Sequence, residues 1–285
     1  MEESKNVKQK PLVSIIMGIY NCQNILPQAI KSILSQTYER WELIMCDDGS
    51  TDNTYQVALK YAEKYENISV LQNKKNMRLA YSLNKCLKVA KGKYIARMDA
   101  DDISLKERIE KQVDFLEKNP KYAVVGSSAL IYGNGKENEI RYPGEYPDKY
   151  TLLTHIPYMH PTIMMRKEIY EVLGGYTVSK ETIRGQDLEM WFRFYEKGYC
   201  GYNIKEPLLK YHESFNDYKK MNIKRAWGIF KINLKGFEKL GFPKWKYFHA
   251  FRPLICAFIP NRFRYFYHNI KQIFKRNIVL KKIRN

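Results

Sequence analysis

Gly92-Lys93-Tyr94-Ile95-Ala96-Arg97-Met98-Asp99-Ala100-Asp101-Asp102 reads as a short buried strand, Tyr94 to Met98, running into three carboxylates. Three acids within four residues repel one another, so the pattern needs a reason. A helix cap accounts for one of them: Asp102 can cap a helix that starts near Leu105. It leaves Asp99 and Asp101 unexplained. Carboxylates just past a buried strand form a hard oxygen site for Mg²⁺ or Mn²⁺, an ion that keeps its other positions for water and substrate phosphate. The carboxyl ends of strands in open α/β sheets are also where ligands bind.

Toward the N-terminus the same pattern repeats. Leu12 to Ile19 is apolar apart from Ser14 and Gly18, fits a first buried parallel strand and ends at Tyr20-Asn21. Ile25 to Thr37 has helical spacing. Trp41 to Cys46 is a second strand and runs into another acid pair, Asp47-Asp48. Thr54 to Tyr65 reads as a helix, Ile68 to Gln72 as a strand and Leu79 to Ala90 as a helix. Four strand-then-helix alternations in the first hundred residues predict a doubly wound α/β sheet with parallel strands. There is no GxGxxG after the first strand and no GxxxxGK[ST] anywhere, which counts against a nicotinamide dehydrogenase or a P-loop NTPase.

Toward the C-terminus, Ile103 to Asn119 reads as a helix, Ala123 to Tyr132 as a strand and 133–135 as a turn. Arg141 to Tyr158 breaks into Pro, Tyr and Gly and wraps over the sheet. His160 to Arg166 reads as a strand with a histidine at its entrance. Lys167 to Leu173 is a short helix closed by Gly174-Gly175, and Thr177 to Gly185 a flexible stretch. Gln186 to Arg193 starts a helix with Asp187 in its first turn. Tyr202 to Tyr211 is an edge strand, followed by His212.

At 285 residues the chain has room for one large α/β domain and an appendage. The formal charge of +19 is unevenly spread: residues 219–285 hold 18 Lys/Arg and one acid, Glu238, while residues 1–218 hold 31 bases and 29 acids. The body is near neutral and the tail a polycation, which must face something anionic. The five cysteines are scattered, odd in number and without CxxC spacing, as expected of free structural thiols in a reducing compartment. The polar N-terminus has no signal-peptide pattern, and the apolar run Pro253 to Pro260 is far short of a spanning helix.

Five segments together, Val13–Asn21, Asp47–Asp52, Asn76–Asp102, His160–Arg166 and Gly185–Arg193, resemble the inverting nucleotide-sugar glycosyltransferases of family 2, of the bacterial surface-polysaccharide type. The resemblance spans about residues 10–215 and implies a GT-A fold. A catalytic domain would occupy 1–218, with a nucleotide-sugar half over about 10–102 and an acceptor half over about 103–218. A basic helical extension would follow over 219–285.

The resemblance also implies roles. Tyr20 would stack on the donor base, and Asp48 would accept a hydrogen bond from a uracil N–H. Arg78 stands where a glycine is common, although some members place a nucleotide-contacting arginine there; a solvated helix-cap arginine is the alternative. Asp99 would hold the ribose hydroxyl and Asp101 would ligate Mn²⁺ or Mg²⁺ on the diphosphate of a UDP-sugar, with Asp102 a cap or a supporting group. Asp187 matches the catalytic base, although the usual Glu-Asp reads Gln186-Asp187 here. As a bare sequence feature Asp187 is also an acid favoured by the helix dipole. His212 would complete the metal shell or be structural, and His160 would shape the floor of the sugar pocket. Trp191 and Arg193 fit the family's helix pattern, as core packing or acceptor contact. Transfer to a growing glycan follows, with an acceptor that is lipid-linked or, alternatively, a protein or a teichoic-acid-type polymer.

In the tail, Ile223, Trp227, Phe230, Leu234 and Phe237 recur at helical spacing among lysines. Phe242, Trp245, Tyr247, Phe248 and Phe251 follow, then Phe263, Tyr265, Phe266, Tyr267, Ile270 and Ile273. Aromatics among cations suit an interfacial helix on anionic lipid. They also suit nucleic acid, the non-enzyme alternative, or simple packing on the catalytic domain. A lipid-linked acceptor favours the membrane: the expectation is a peripheral protein on the cytoplasmic membrane face, with no nucleic-acid partner.

Overall fold

The computed structural model describes residues 9–133, 136–213 and 223–258. The outer aromatics of the tail, Phe263 to Ile273, lie outside the described residues. Nine strands form one sheet in the order β3-β2-β1-β4-β8-β6-β9-β5, with β7 paired to β6 off this path. The first four are β1 (Val13–Ile19), β2 (Trp41–Asp47), β3 (Ile68–Gln72) and β4 (Tyr94–Arg97), all parallel. Helices α1 (Leu26–Leu34), α2 (Thr54–Lys64) and α3 (Leu79–Val89) connect them.

Alternation along β1 explains the two-faced core. Val13, Ile15, Met17 and Ile19 pack with α1 and α2 on one face; Ile16 packs with α3 on the other. Gly18 lies on the α3 side, where an added Cβ would sit 2.6 Å from Leu79 Cδ1. The backbone thus comes close to α3 just before the chain leaves the sheet.

The second half is mixed. β5 (Ile103–Ser104), α4 (Arg108–Lys118), β6 (Val124–Gly133) and β7 (Lys136–Arg141) lead to β8 (Met164–Arg166). Then come α5 (Lys167–Leu173), α6 (Gln186–Glu196), β9 (Gly201–His212), α7 (Ile223–Lys239) and α8 (Arg252–Phe258). β8 runs antiparallel to both β4 and β6, and β9 is parallel to β6. Two reversals restore the direction of β4, so β6 and β9 also end at the edge where β1, β2 and β4 end. With β3, that brings the residues after six strands to one rim.

Four expectations are corrected. Ile103 to Asn119 is not one helix: Ile103-Ser104 pair with Leu209-Lys210 of β9, and α4 begins at Arg108. Asp102 therefore caps no helix. His160 to Arg166 splits into a 3-10 turn at His160–Thr162 and strand β8, because Pro161 has no N–H for a sheet ladder. β9 is not an edge strand; β6 and the short β5 flank it. Thr177 to Gly185 is tied down locally: Thr182 Oγ1 donates to the Thr177 carbonyl (2.7 Å) ahead of a 3-10 turn at Thr182–Arg184. The expected closure of α5 is found, with Gly174 in the left-handed region at φ 68°.

α7 is not a free polycation. Its buried face, Ala226, Phe230, Ile232, Gly236 and Phe237, joins the core that holds α6. Phe242 and Ala250 extend that packing. Packing on the catalytic domain thus accounts for the inner aromatics, while Trp227, Trp245, Phe248, Phe251, Ile255 and Phe258 stay exposed. No described helix is long and apolar enough to cross a membrane. All five cysteines are free.

Candidate active site

The site lies on the rim where β1, β2, β4 and β9 end, at the switch between β1 and β4 where strand order reverses. In open α/β sheets this crevice is the ligand site. Tyr20 leaves β1 half-exposed beside Asp48, whose N–H donates to the Ile19 carbonyl at 2.9 Å.

Asp48 is buried, and its carboxylate accepts three hydrogen bonds. Its Oδ1 accepts from the Met77 N–H and from Asn73 Nδ2, and its Oδ2 from the Arg78 N–H, each at 2.8 Å. The carboxylate thus fixes the loop that leads into α3. Arg78 holds φ 75° and ψ 160°, a region that glycine occupies freely and a Cβ penalises. That explains why glycine suits this place. Arg78 stands exposed at the N-cap position of α3, and its side chain makes no capping bond. It lines a cavity of about 170 Å³ with Met77, Lys180 and Ile183.

Carboxylate oxygens of Asp99, Asp101 and Asp102 all lie within 4.8 Å of one another. Asp99 and Asp101 are partly exposed; Asp102 is buried. Burial, then the charge of Asp99, raises the Asp101 carboxyl above its ordinary value. Burial and both neighbouring acids push Asp102 up much further. Asp102 Oδ1 accepts from the His212 N–H at 3.0 Å, while its buried Oδ2 has no partner. His212 Nδ1 stands 3.7 Å from Asp101 Oδ2. The Tyr132 hydroxyl donates to the Asp101 carbonyl at 2.5 Å and holds that turn in place. Clustered hard oxygens, one of them buried without a partner, and an imidazole at the rim fit a divalent cation.

Across the rim, Asp187 sits in the first turn of α6. Its Oδ1 accepts from the Leu188 N–H at 2.8 Å. Burial raises its pKa above the ordinary aspartate value; the Arg97 charge works against that rise and the Asp99 charge adds to it. Gly185 lets α7 approach just before this turn: a Cβ there would sit 2.9 Å from Ile232 Cδ1.

Trp191 and Arg193 resolve as structure. Trp191 is fully buried against Tyr158, with ring centroids 4.5 Å apart. Arg193 pairs with Glu189 at 2.8 Å and donates to the Gly175 carbonyl at 3.0 Å, tying α6 to the turn after α5. His160 is buried, and burial keeps it neutral; its Nε2 bonds the Tyr176 hydroxyl at 2.9 Å.

A family model described as glycosyl transferase family 2 matches residues 14–174. The chain belongs to that family. EpsE of Bacillus subtilis, a putative glycosyltransferase, is 42% identical over 259 residues, spanning 90% of this chain and 93% of EpsE. The Escherichia coli enzyme WfgD, named as a UDP-Glc:alpha-D-GlcNAc-diphosphoundecaprenol beta-1,3-glucosyltransferase, is 38% identical over 123 residues, 43% of this chain and 48% of WfgD. Among solved structures, residues 1–349 of S. aureus TarS in complex with UDP match with a TM-score of 0.60 at 22% identity, covering 80% of this chain and 68% of that one. A Pyrobaculum calidifontis mannosyltransferase in complex with GDP-Man and Mn²⁺ matches with a TM-score of 0.60 at 17% identity, covering 96% and 84%. These structural likenesses establish the GT-A fold of this transferase.

Sequence reading of the transferase missed three residues at the rim. Arg97 is buried within β4 and ion-paired to Asp99. Its signal was there: an arginine inside a four-residue apolar strand, two positions before an acid. Arg108 of α4 is fully buried and donates to the Arg97 carbonyl at 2.7 Å; burial lowers its pKa to about 10. Nothing local distinguishes it from a surface helix arginine. Asn73 just after β3 holds Asp48, and its place at a strand end was the only clue.

Proposed function

We propose that this family 2 glycosyltransferase is a metal-dependent inverting enzyme that moves a sugar from a UDP-sugar to a hydroxyl of a lipid-linked glycan, in capsule, O-antigen or exopolysaccharide assembly. The observation that carries the reading is the cluster of Asp99, Asp101 and Asp102 at the end of β4, with Asp187 near enough to respond to the Asp99 charge, beside the loop held by Asp48. WfgD supports both a UDP-sugar donor and a lipid-linked acceptor, and the UDP complex of TarS supports the base.

Tyr20 stacks on the base, Asp48 reads it, and Arg78 faces the nucleotide from the cavity it shares with Lys180. Asp99 holds the ribose. Asp101, with His212, would hold Mn²⁺ or Mg²⁺. When bound, the ion supplies positive charge beside the leaving diphosphate. Asp187 accepts the acceptor's O–H proton as that oxygen bonds to the anomeric carbon. The bond from that carbon to the diphosphate oxygen breaks, its electron pair leaves with UDP, and the configuration inverts. A raised Asp187 pKa makes the carboxylate a stronger base once ionised.

Residues 219–285 are the proposed contact with an anionic membrane on the cytoplasmic face. The exposed aromatics of 227–258 stand among Lys224, Arg225, Lys244, Lys246 and Arg252, a composition that suits the headgroup boundary.

Calorimetric titration with UDP, with Mn²⁺ and then EDTA, on the wild type and Asp101→Ala tests the donor side. Binding that needs the ion and is lost in the variant is expected. Equal binding by the variant, or none by the wild type, removes the reading.

A further inference from the structure

Arg97 is an expensive residue where it stands. It lies in β4 after Tyr94, Ile95 and Ala96, all fully buried, and is itself 3% exposed. Its main chain is held on both sides: its N–H donates to the Ile163 carbonyl at 3.0 Å, and its carbonyl accepts from Arg108. One guanidinium nitrogen, Nη2, pairs with Asp99. The other two, Nε and Nη1, are buried without a hydrogen-bond partner. A half-satisfied guanidinium in a strand interior costs stability. Packing gives no reason to keep it there.

The groups around it supply one. His160, three residues before Ile163, is buried and neutral, and its ring centroid lies 5.8 Å from that of Trp191. Trp191 is four residues after Asp187 on α6, hence on the same helix face. Tyr176 bonds His160 and stands 3.1 Å, oxygen to oxygen, from Tyr170. Both tyrosines are buried and burial raises their pKa, so neither carries charge at neutral pH. Among the described residues, the Arg97 charge lowers the Asp187 pKa and the Asp99 charge raises it, both from the β4 side. On its own helix, Glu189 and Arg193 pair with each other.

We propose that Arg97 is a positioning residue for the transfer reaction: it clamps Asp99 at the end of β4 and serves as a buried cation shared between Asp99 and the base Asp187. The inference rests on the reading of Asp187 as the base. Without Arg97 the Asp99 charge acts on Asp187 with no guanidinium beside it to offset it, and the base holds its proton to higher pH.

The test is a pH titration of Asp187 in the full chain with ¹³C-labelled aspartate carboxyls, in EDTA, with the signal assigned by its loss in Asp187→Asn. In Arg97→Gln the midpoint rises by about one pH unit, and Arg97→Lys brings it back toward wild type. Asp99→Asn, a partly exposed position that leaves the core intact, frees the guanidinium and removes a negative charge, so the midpoint falls. An unchanged midpoint in folded Arg97→Gln, or in Asp99→Asn if the glutamine variant does not fold, overturns the proposal. This readout needs no substrate. A shifted midpoint with no UDP binding by the wild type keeps the Arg97 linkage and rejects the UDP-donor reading. UDP binding with an unshifted midpoint does the reverse.

Discussion

The main-chain N–H of His212 donates to the buried carboxylate of Asp102 at 3.0 Å, joining the end of β9 to the turn after β4 across 110 residues of sequence. The bond sets His212 beside Asp101 and leaves the other Asp102 oxygen without a partner.

Asp102 makes metal-free stability depend on pH. Its folded pKa lies well above the ordinary 3.8. An acid raised on folding stabilises the fold below its unfolded value, and that contribution is lost as pH rises toward the folded value. In EDTA, the melting temperature falls as pH rises above about 4, and Asp102→Asn flattens that slope. Mn²⁺ raises the wild-type melting temperature more than the variant's. Parallel slopes for the two proteins would contradict this.

Asp187→Asn lowers transfer by roughly 10²–10⁴-fold and leaves UDP affinity unchanged. The wild-type rate loses activity on the acid side at a pH above the ordinary aspartate value, the direction in which burial moves Asp187. Steady-state kinetics across pH, beside calorimetry on the variant, reads both effects. A variant that transfers at the wild-type rate would exclude Asp187 as base.

Arg78→Gly separates stability from binding. Relief of φ 75° stabilises the fold by roughly 1 kcal/mol, while the loss of a cation from the 78–180 cavity weakens UDP. Thermal melts and UDP titration should move in opposite directions; weaker melting with unchanged affinity would mean that the side chain serves structure.

Gly236→Ala tests the seating of α7 on α6. Its Cβ would fall 2.3 Å from the Phe192 ring, and overpacking of this kind costs about 1–3 kcal/mol. Urea unfolding should show that loss. A neutral result would mean that α7 shifts without penalty.

Trp245→Ser combined with Phe248→Ser removes two exposed aromatics of the tail. In vesicle flotation the wild type should rise with phosphatidylglycerol and stay down with phosphatidylcholine; the double variant should stay down with both. Equal flotation of variant and wild type would move the membrane contact elsewhere.

The parallel half of this transferase was legible in its residues, because buried parallel strands are continuous apolar runs and their ends are marked. Val13–Ile19 runs into Tyr20-Asn21, Trp41–Asp47 into Asp48 and Tyr94–Arg97 toward Asp99, so a polar turn follows each run. Asp48, Asp99 and Asp101 were visible for the same reason: acids at strand ends are costly without a task; Asp187, an acid that a helix N-terminus favours, was picked out by the resemblance to the family. The tertiary structure alone decided which of these meet. Sequence cannot count the two strand reversals that bring β9 back to the rim, nor place Ile103-Ser104 in a ladder with a strand a hundred residues away. It also could not single out Arg108, whose burial and partners come from neighbours distant along the chain. Local pattern carries periodicity and end signals; long-range pairing and the electrostatics of burial exist only once the chain has closed on itself.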